Sequence, residues 1–508
     1  MMQITPLYVF LRASLHVLLR APLRIPLRPL AQYAFFPLRR GCALITALVA
    51  TLLATFAVPL YATDLPPALL GALKEAGIPA RSLSVVVHGV DAKQALLSHN
   101  ATQAMNPASA MKLLTTYSGL ELLGPAYTWK TDALAEKPLL AGRLDGSLYL
   151  RGSGDPRLAL EQFWLLLRQL RARGISEIAG DLVLDRSAFA LPPHNAAEFD
   201  NEPLRPYNAG PDALLVNLKS LRLTLLADAV HKTVSVIPET PSEDLRIVNR
   251  LGLGSEACGD WREKFKTTVS GAQGETIELA GTFPAACGEK ALHLSPWSAD
   301  LQIERLFRSL WRELGGTLRG VVREGITPPG ARILATHESP ALSEVVREIN
   351  KYSNNVMARQ LFLSLSSERP ATPEGARRRL QTWLANKGLK LPELVLDNGS
   401  GLSRSERISA EGLSQLLLAA WKSSVMPELM ASLPLAGVDG TLKKRLGDSA
   451  VGGRAHLKTG YLEGVRALAG YVLDSSGKRW VVVCLLNDPK ARLGKPAMDA
   501  LLRWVAEF

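Results

Sequence analysis

Asn106-Pro107-Ala108-Ser109-Ala110-Met111-Lys112-Leu113-Leu114-Thr115 sets a serine three residues ahead of a lysine at the opening of an apolar segment. Asn106 suits an N-cap, Pro107 the first helical position and Gly124 a stop, which predicts a helix across this stretch. On a helix, residues three apart share a face, so the Lys112 amine can reach the Ser109 hydroxyl. Ser109 in the first turn sits where free backbone N–H groups and the helix dipole favour negative charge, and its own N–H is a ready oxyanion donor. Attack on an amide carbonyl needs these parts: an oxygen nucleophile, a base and donors for the developing oxyanion.

Two further triplets follow in order, Ser353-Asn354-Asn355 and Lys458-Thr459-Gly460. Each is weak alone, and competing matches exist. Ser-x-x-Lys recurs at Ser475-Ser476-Gly477-Lys478, where Asp474-Ser-Ser-Gly reads as a hairpin tip between apolar runs 467–473 and 479–486. Ser98-His99-Asn100 repeats Ser-x-Asn, but upstream of the nucleophile and at the end of a short strand. The ordered set carries the reading.

With these residues in hand, the chain resembles low-molecular-mass penicillin-binding proteins of the D-alanyl-D-alanine carboxypeptidase/endopeptidase group that carry a large insertion in the catalytic domain. The likeness covers nearly everything after residue 63. It includes Gly152-Ser-Gly-Asp-Pro, Asp397-Asn-Gly-Ser-Gly-Leu-Ser-Arg404 and Leu433-Pro-Leu-Ala-Gly-Val-Asp-Gly-Thr441 besides the three triplets. The distance from Ser109 to Ser353 far exceeds what a compact β-lactamase needs. The resemblance implies an α+β fold of the serine β-lactamase/penicillin-binding transpeptidase type, with an acyl-enzyme on Ser109. It implies Lys112 as base, Ser353 as proton relay to the leaving amine and Asn355 on the substrate amide. Lys458 and Thr459 would hold the terminal carboxylate, and Tyr461, after Gly460 on an edge strand, would supply a second oxyanion N–H. Asp155 and Arg404 are candidates for the charged side chain of a stem peptide, although glycine-rich turns carry such residues for structural reasons as often. Leu433–Thr441 reads as a structural loop bordering the cleft. The implied partners are peptidoglycan stem peptides, their cross-links and β-lactam antibiotics; no metal and no cofactor are called for. A β-lactamase and a non-catalytic wall protein are the alternatives. Asn354 in place of the usual Asp speaks against the first, and an occupied set of reactive positions against the second.

Composition agrees with an exported enzyme. The chain has 508 residues, beyond one typical domain, and its 47% hydrophobic content suits globular cores. Residues 1–63 hold no Asp, Glu or Lys but six Arg, and an uncharged stretch from Gly41 ends at Leu60-Tyr61-Ala62. This reads as a leader of residues 1–62 cleaved after Ala62 for export to the periplasm, with an uncleaved membrane anchor as the alternative. Six of the +12 formal charges go with the leader, leaving +6, compatible with an anionic wall polymer. No basic stripe with aromatics, arginine-rich tail or zinc-spaced Cys/His set points to nucleic acid. Cys42 falls in the leader and Cys484 in an apolar strand. Cys258 and Cys287 are left as an expected disulfide, against the alternative of two free thiols.

The expected layout is a first catalytic part at 63–126, an inserted β-rich region of two nested modules at 127–295 and a second catalytic part at 296–508. Helices are read at 65–76, 356–365 and 497–508, and one inside the insertion at 163–173. Strands are read at 83–88 and 94–98 as a hairpin, and at 147–150, 181–184 and 221–226 within the insertion.

Overall fold

The computed structural model describes residues 65–240, 242 and 244–508; the leader, its cleavage point and Cys42 lie outside them. Strands from early and late in the described residues meet in one antiparallel sheet of five, ordered Ala455–Leu462, Val465–Leu473, Arg479–Asn487, Leu83–Gly89 and Leu97–His99. The continuous apolar run Trp480–Leu486 explains why the sheet is covered on both faces. Side chains alternate along a strand, so a run without polar breaks needs a core on each side. Val481, Val483 and Leu485 face a core built with helices Lys112–Leu123, Leu342–Tyr352, Asn355–Ser364, Pro373–Asn386 and Ala410–Trp421. Val482, Cys484 and Leu486 face the opposite core under the terminal helices Pro67–Glu75 and Lys495–Ala506. Among the described residues no helix is long and apolar enough to cross a membrane.

Ser475 sits at a hairpin tip, as read: Asp474 accepts from the Lys478 N–H and Gly477 has φ +86°. The Ser475 hydroxyl donates to the Phe508 carbonyl at 2.9 Å, so it is tied to the residues just past the helix Lys495–Ala506 rather than to any lysine.

The insertion holds two sets of sheets. One joins a five-stranded sheet of Val322–Glu324, Leu182–Asp185, Leu148–Gly152, Lys130–Ala135 and Arg332–Glu338 to a four-stranded sheet of Thr317–Leu318, Glu177–Ile178, Arg143–Leu144 and Leu139–Leu140, packed on helices Leu160–Ala172 and Ala299–Glu313. The other is a pair of three-stranded sheets around a separate small core that includes Cys287 and the flanking Cys258, joined as a disulfide. The expected boundary at 295/296 is therefore too early. Val322–Glu324 pairs with Leu182–Asp185, and Arg332–Glu338 pairs with Lys130–Ala135, so the first sheet closes only at Glu338. Helix Ala299–Glu313 buries Ile303, Phe307 and Trp311 against Phe163 and Leu170 of the insertion, which the linear order hides.

The insertion reaches the catalytic part through the segment around 209–216. Gln360 donates to the Asp212 carbonyl and accepts from its N–H, and Arg359 donates to the Ala209 carbonyl at 2.9 Å. Both anchors stand on the helix that begins with Asn355.

Candidate active site

Ser109 does not open an α-helix. It lies in a 3₁₀ turn, Ala108–Met111, and the α-helix begins at Lys112. In a 3₁₀ helix residues i and i+3 eclipse, which stacks Lys112 over Ser109 more directly than an α-helix would. Lys112 Nζ donates to Ser109 Oγ at 2.9 Å. Asn106 caps this turn instead of the α-helix: its Oδ1 accepts from the Ala108 N–H at 2.8 Å. The same residue ties the turn to the sheet, donating its N–H to Asn487 Oδ1 and accepting on its carbonyl from Asn487 Nδ2.

Ser353 and Asn355 stand at a junction between two helices. Ser353 is the left-handed C-cap of Leu342–Tyr352, with φ +57°, and Asn354 is the N-cap of Asn355–Ser364, accepting from the Met357 N–H at 3.1 Å. Asn354 is thus used as a cap, and the sharp turn aims its two neighbours inward. Asn355 Oδ1 accepts from Lys112 Nζ at 2.6 Å, and Ser353 Oγ accepts from Lys458 Nζ at 2.9 Å.

Lys458, Thr459, Gly460 and Tyr461 lie on the edge strand Ala455–Leu462. A Cβ on Gly460 would lie 2.7 Å from the Pro107 carbonyl and 3.0 Å from the Ser109 nitrogen, so only glycine lets this strand run against the Ser109 turn. Thr459 and Thr441 share a hydrogen bond between hydroxyls at 2.9 Å, which places the 433–441 loop on the rim of the cleft. Lys351 holds that loop by donating to the Leu433 carbonyl and to Asp439. Tyr461 is largely exposed.

Both lysines are fully buried. Burial pushes the Lys458 ammonium down to about 7. Lys112 is held well below the usual lysine range, first by burial and then by the positive charges of Lys458 and Arg359, while Glu406 opposes the shift. Lowering of this kind favours the neutral amine, the form a general base requires. Among the described residues no group of His, Cys, Asp and Glu could hold a metal ion.

The remaining candidates separate. Arg404 is half exposed on the wall of a cavity of about 790 Å3 that it shares with Asp397, Asn398 and the inserted segment 191–199. Its guanidinium lies 4.5 Å from the Phe199 ring and reaches the Glu463 carbonyl next to the edge strand. Asp155 joins neither the reactive cluster nor this cavity. It is buried, with one carboxylate oxygen on the Arg157 N–H at 2.7 Å and the other 3.3 Å from His337, a turn-stabilising arrangement. Three groups that sequence reasoning missed do border the cluster: the Ser400 carbonyl, which accepts from Lys112 Nζ, and the buried Arg359 and Glu406. The glycine-rich run at 397–404 was the available signal for the first.

Comparison with known proteins places this constellation. A family model described as D-Ala-D-Ala carboxypeptidase 3 (S13) matches residues 68–508. The chain belongs to this family. It is thus a serine-type D-Ala-D-Ala carboxypeptidase of the low-molecular-mass penicillin-binding group. A D-alanyl-D-alanine carboxypeptidase from Actinomadura sp. (strain R39) is 30% identical over 472 residues, covering 87% of this chain and 85% of the relative. The D-alanyl-D-alanine carboxypeptidase DacB of Haemophilus influenzae is 24% identical over 456 residues, covering 89% of this chain and 94% of the relative. The crystal structure of penicillin binding protein 4 (dacB) from Haemophilus influenzae superposes with TM-score 0.71 at 23% identity, over 87% of this chain and 99% of that one. This likeness bears out the α+β penicillin-binding fold.

Proposed function

We propose that this carboxypeptidase works through an acyl-enzyme on Ser109 and that it also opens peptide cross-links of peptidoglycan. The observation that carries the mechanism is the buried Lys112 amine 2.9 Å from Ser109 Oγ. Neutral Lys112 takes the Ser109 proton as the oxygen attacks the penultimate D-Ala carbonyl. The N–H groups of Ser109 and Tyr461 hold the oxyanion, on the turn and on the strand that Gly460 brings together. Ser353 relays that proton from Lys112 to the departing amine, the amide C–N bond breaks, terminal D-Ala or the neighbouring stem peptide leaves, and Lys112 is neutral once more. Water then hydrolyses the Ser109 ester, with Lys112 again as base.

Asn355 positions the substrate amide, and Lys458 with Thr459 receives the terminal carboxylate. Arg404, on the cavity wall beside the edge strand, meets the charged side chain of the stem peptide. A β-lactam places its strained carbonyl at the same nucleophile and leaves Ser109 acylated. The site of action is the periplasm, reached through residues 1–62 as an export signal.

Mass spectrometry of a digest after penicillin treatment should place the adduct on the Ser109 peptide. An adduct on the Ser475 peptide would overturn the assignment. Incubation with purified muropeptides should release both free D-Ala and monomers from cross-linked dimers; release of D-Ala alone would remove the endopeptidase part.

A further inference from the structure

Glu406 is a fully buried carboxylate outside the set of residues just assigned. Its Oε1 accepts from three successive backbone N–H groups, those of Asp397, Asn398 and Gly399, at 3.3, 3.1 and 2.9 Å. These bonds tie down the turn that presents the Ser400 carbonyl to Lys112 Nζ. The turn is held from the other side too. Thr115 donates to the Gly399 carbonyl at 2.6 Å, and Gly401 passes so close to the Ser109 turn that a Cβ there would lie 1.9 Å from the Ala108 carbonyl.

The second oxygen, Oε2, has no hydrogen-bond partner among the described residues. A glutamine carbonyl would accept the same three N–H groups, so anchoring alone does not require a carboxylate. A buried, half-satisfied carboxylate is costly unless positive charge faces it. Positive charge does face it here. Lys112 stands on the nucleophile helix and Arg359 on the Asn355 helix, and they oppose burial and Asp397 of the same turn, which push the Glu406 carboxyl up. The neighbours of Lys112 are otherwise neutral oxygens, those of Ser109, Asn355 and Ser400.

We propose that Glu406 is a positioning residue for the Ser109 reaction, anchoring the Ser400 carbonyl on Lys112 and setting a negative charge beside Lys112 against two cations. The inference rests on the reading of Lys112 as the base. Glu406 raises the basicity of an amine that burial, Lys458 and Arg359 all depress. It keeps Lys112 strong enough to take the serine proton, since a base too weak for its task loses rate.

The test is the rate constant for acylation by a fluorescent penicillin as a function of pH, in wild type, Glu406→Gln and Glu406→Asp. Glutamine keeps the anchor and removes the charge. The acid limb of its profile should move to lower pH by about half a unit or more, roughly a threefold larger fraction of neutral amine on that limb, and its plateau should fall. Aspartate keeps the charge but is one methylene too short for the three N–H groups. Its limb should stay where the wild-type limb lies while the rate drops at every pH. A glutamine profile superimposable on wild type, or an aspartate variant at full rate, overturns the proposal. Should the glutamine variant not fold, the aspartate result decides by itself; failure of both to fold would make Glu406 a folding residue and overturn it equally. Wild type that is not acylated at all would instead fail the Ser109 reading.

Discussion

Two lysines in one dry site cannot both hold a proton cheaply, and their different neighbours separate their tasks. Lys112 faces Ser109, Asn355 and the Ser400 carbonyl, whereas Lys458 faces Ser353 and the Thr459 carbonyl. Lys112→Ala should leave a folded protein whose acylation is slower by on the order of a hundred-fold or more, the usual cost of losing a general base. Normal acylation in that variant would make Lys112 structural. Lys458 yields a pH prediction. Its folded value is lowered to about 7, so its positive charge is present below that pH and is lost as pH rises through it. The ratio of kcat/KM for a D-Ala-D-Ala peptide to that for its C-terminally amidated form cancels the Lys112 limb common to both. That ratio should fall as pH rises through about 7, and Lys458→Gln should bring it low at every pH, because a charge-assisted hydrogen bond is about twice as strong as a neutral one. A flat ratio in wild type would mean that Lys458 does not read the carboxylate. That Ser109, Lys112, Ser353 and Lys458 come together in one cluster was legible in the sequence. Glu406 was not: flanked by Arg404 and Arg407, it looks like part of a solvated charge cluster, and only the fold buries it. Asp155 shows the converse, a carboxylate in a glycine-rich turn that serves the turn.

At the scale of elements, the apolar runs announce the catalytic strands because an unbroken Val/Leu stretch must be covered on both faces. The start of the nucleophile helix was harder to read. Asn-Pro ahead of an apolar run signals a helical start equally for α and 3₁₀ geometry, and the choice is made by distant chain. Gly401 and Gly460 press on the turn from the 397–404 loop and the edge strand, and Asn487 holds Asn106 from the middle of the sheet. Gly460→Ala isolates this contact. Its Cβ would meet the Pro107 carbonyl at 2.7 Å and Ala108 Cβ at 2.9 Å, both on a turn that is itself pinned. Overpacking of this kind costs about 1–3 kcal/mol, so the variant should fold with a lower Tm. Its acylation should fall by on the order of a hundred-fold, because displacing the strand moves the Tyr461 N–H, the proposed second oxyanion donor, off its mark. Calorimetry beside penicillin labelling checks the pair of outcomes; a destabilised variant with full labelling would show that the strand's position against Ser109 is immaterial.

At the scale of the molecule, the insertion was legible as a change from long helices to short strands, but its end was not. Residues 299–338 contain an amphipathic helix and short strands that suit either neighbour, and only pairing of Arg332–Glu338 with Lys130–Ala135 assigns them. The module around Cys258 and Cys287 is the part with the thinnest core. Strand Phe265–Ser270 has no buried residue, and Arg246–Gly254 none either. A module with so little apolar burial gains most from a crosslink. The disulfide closes 29 residues, and a loop of that length is worth roughly 3–4 kcal/mol in the chain-entropy account. Cys484 lies in the other half of the molecule, fully buried and with its thiol pushed up to about 12, so it stays unreactive while the protein is folded. Protein lacking residues 1–62 should therefore take up no alkylating agent before reduction and two equivalents after mild reduction. Reduction should then open residues 246–294 to limited proteolysis while penicillin still labels Ser109 to full stoichiometry, since the Ser109 turn is held by the sheet, the 397–404 loop and the edge strand. Two free thiols in the unreduced protein would remove the crosslink. Loss of labelling in step with reduction would instead mean that the module's stability reaches the active site, through the 209–216 segment that docks on Arg359 and Gln360.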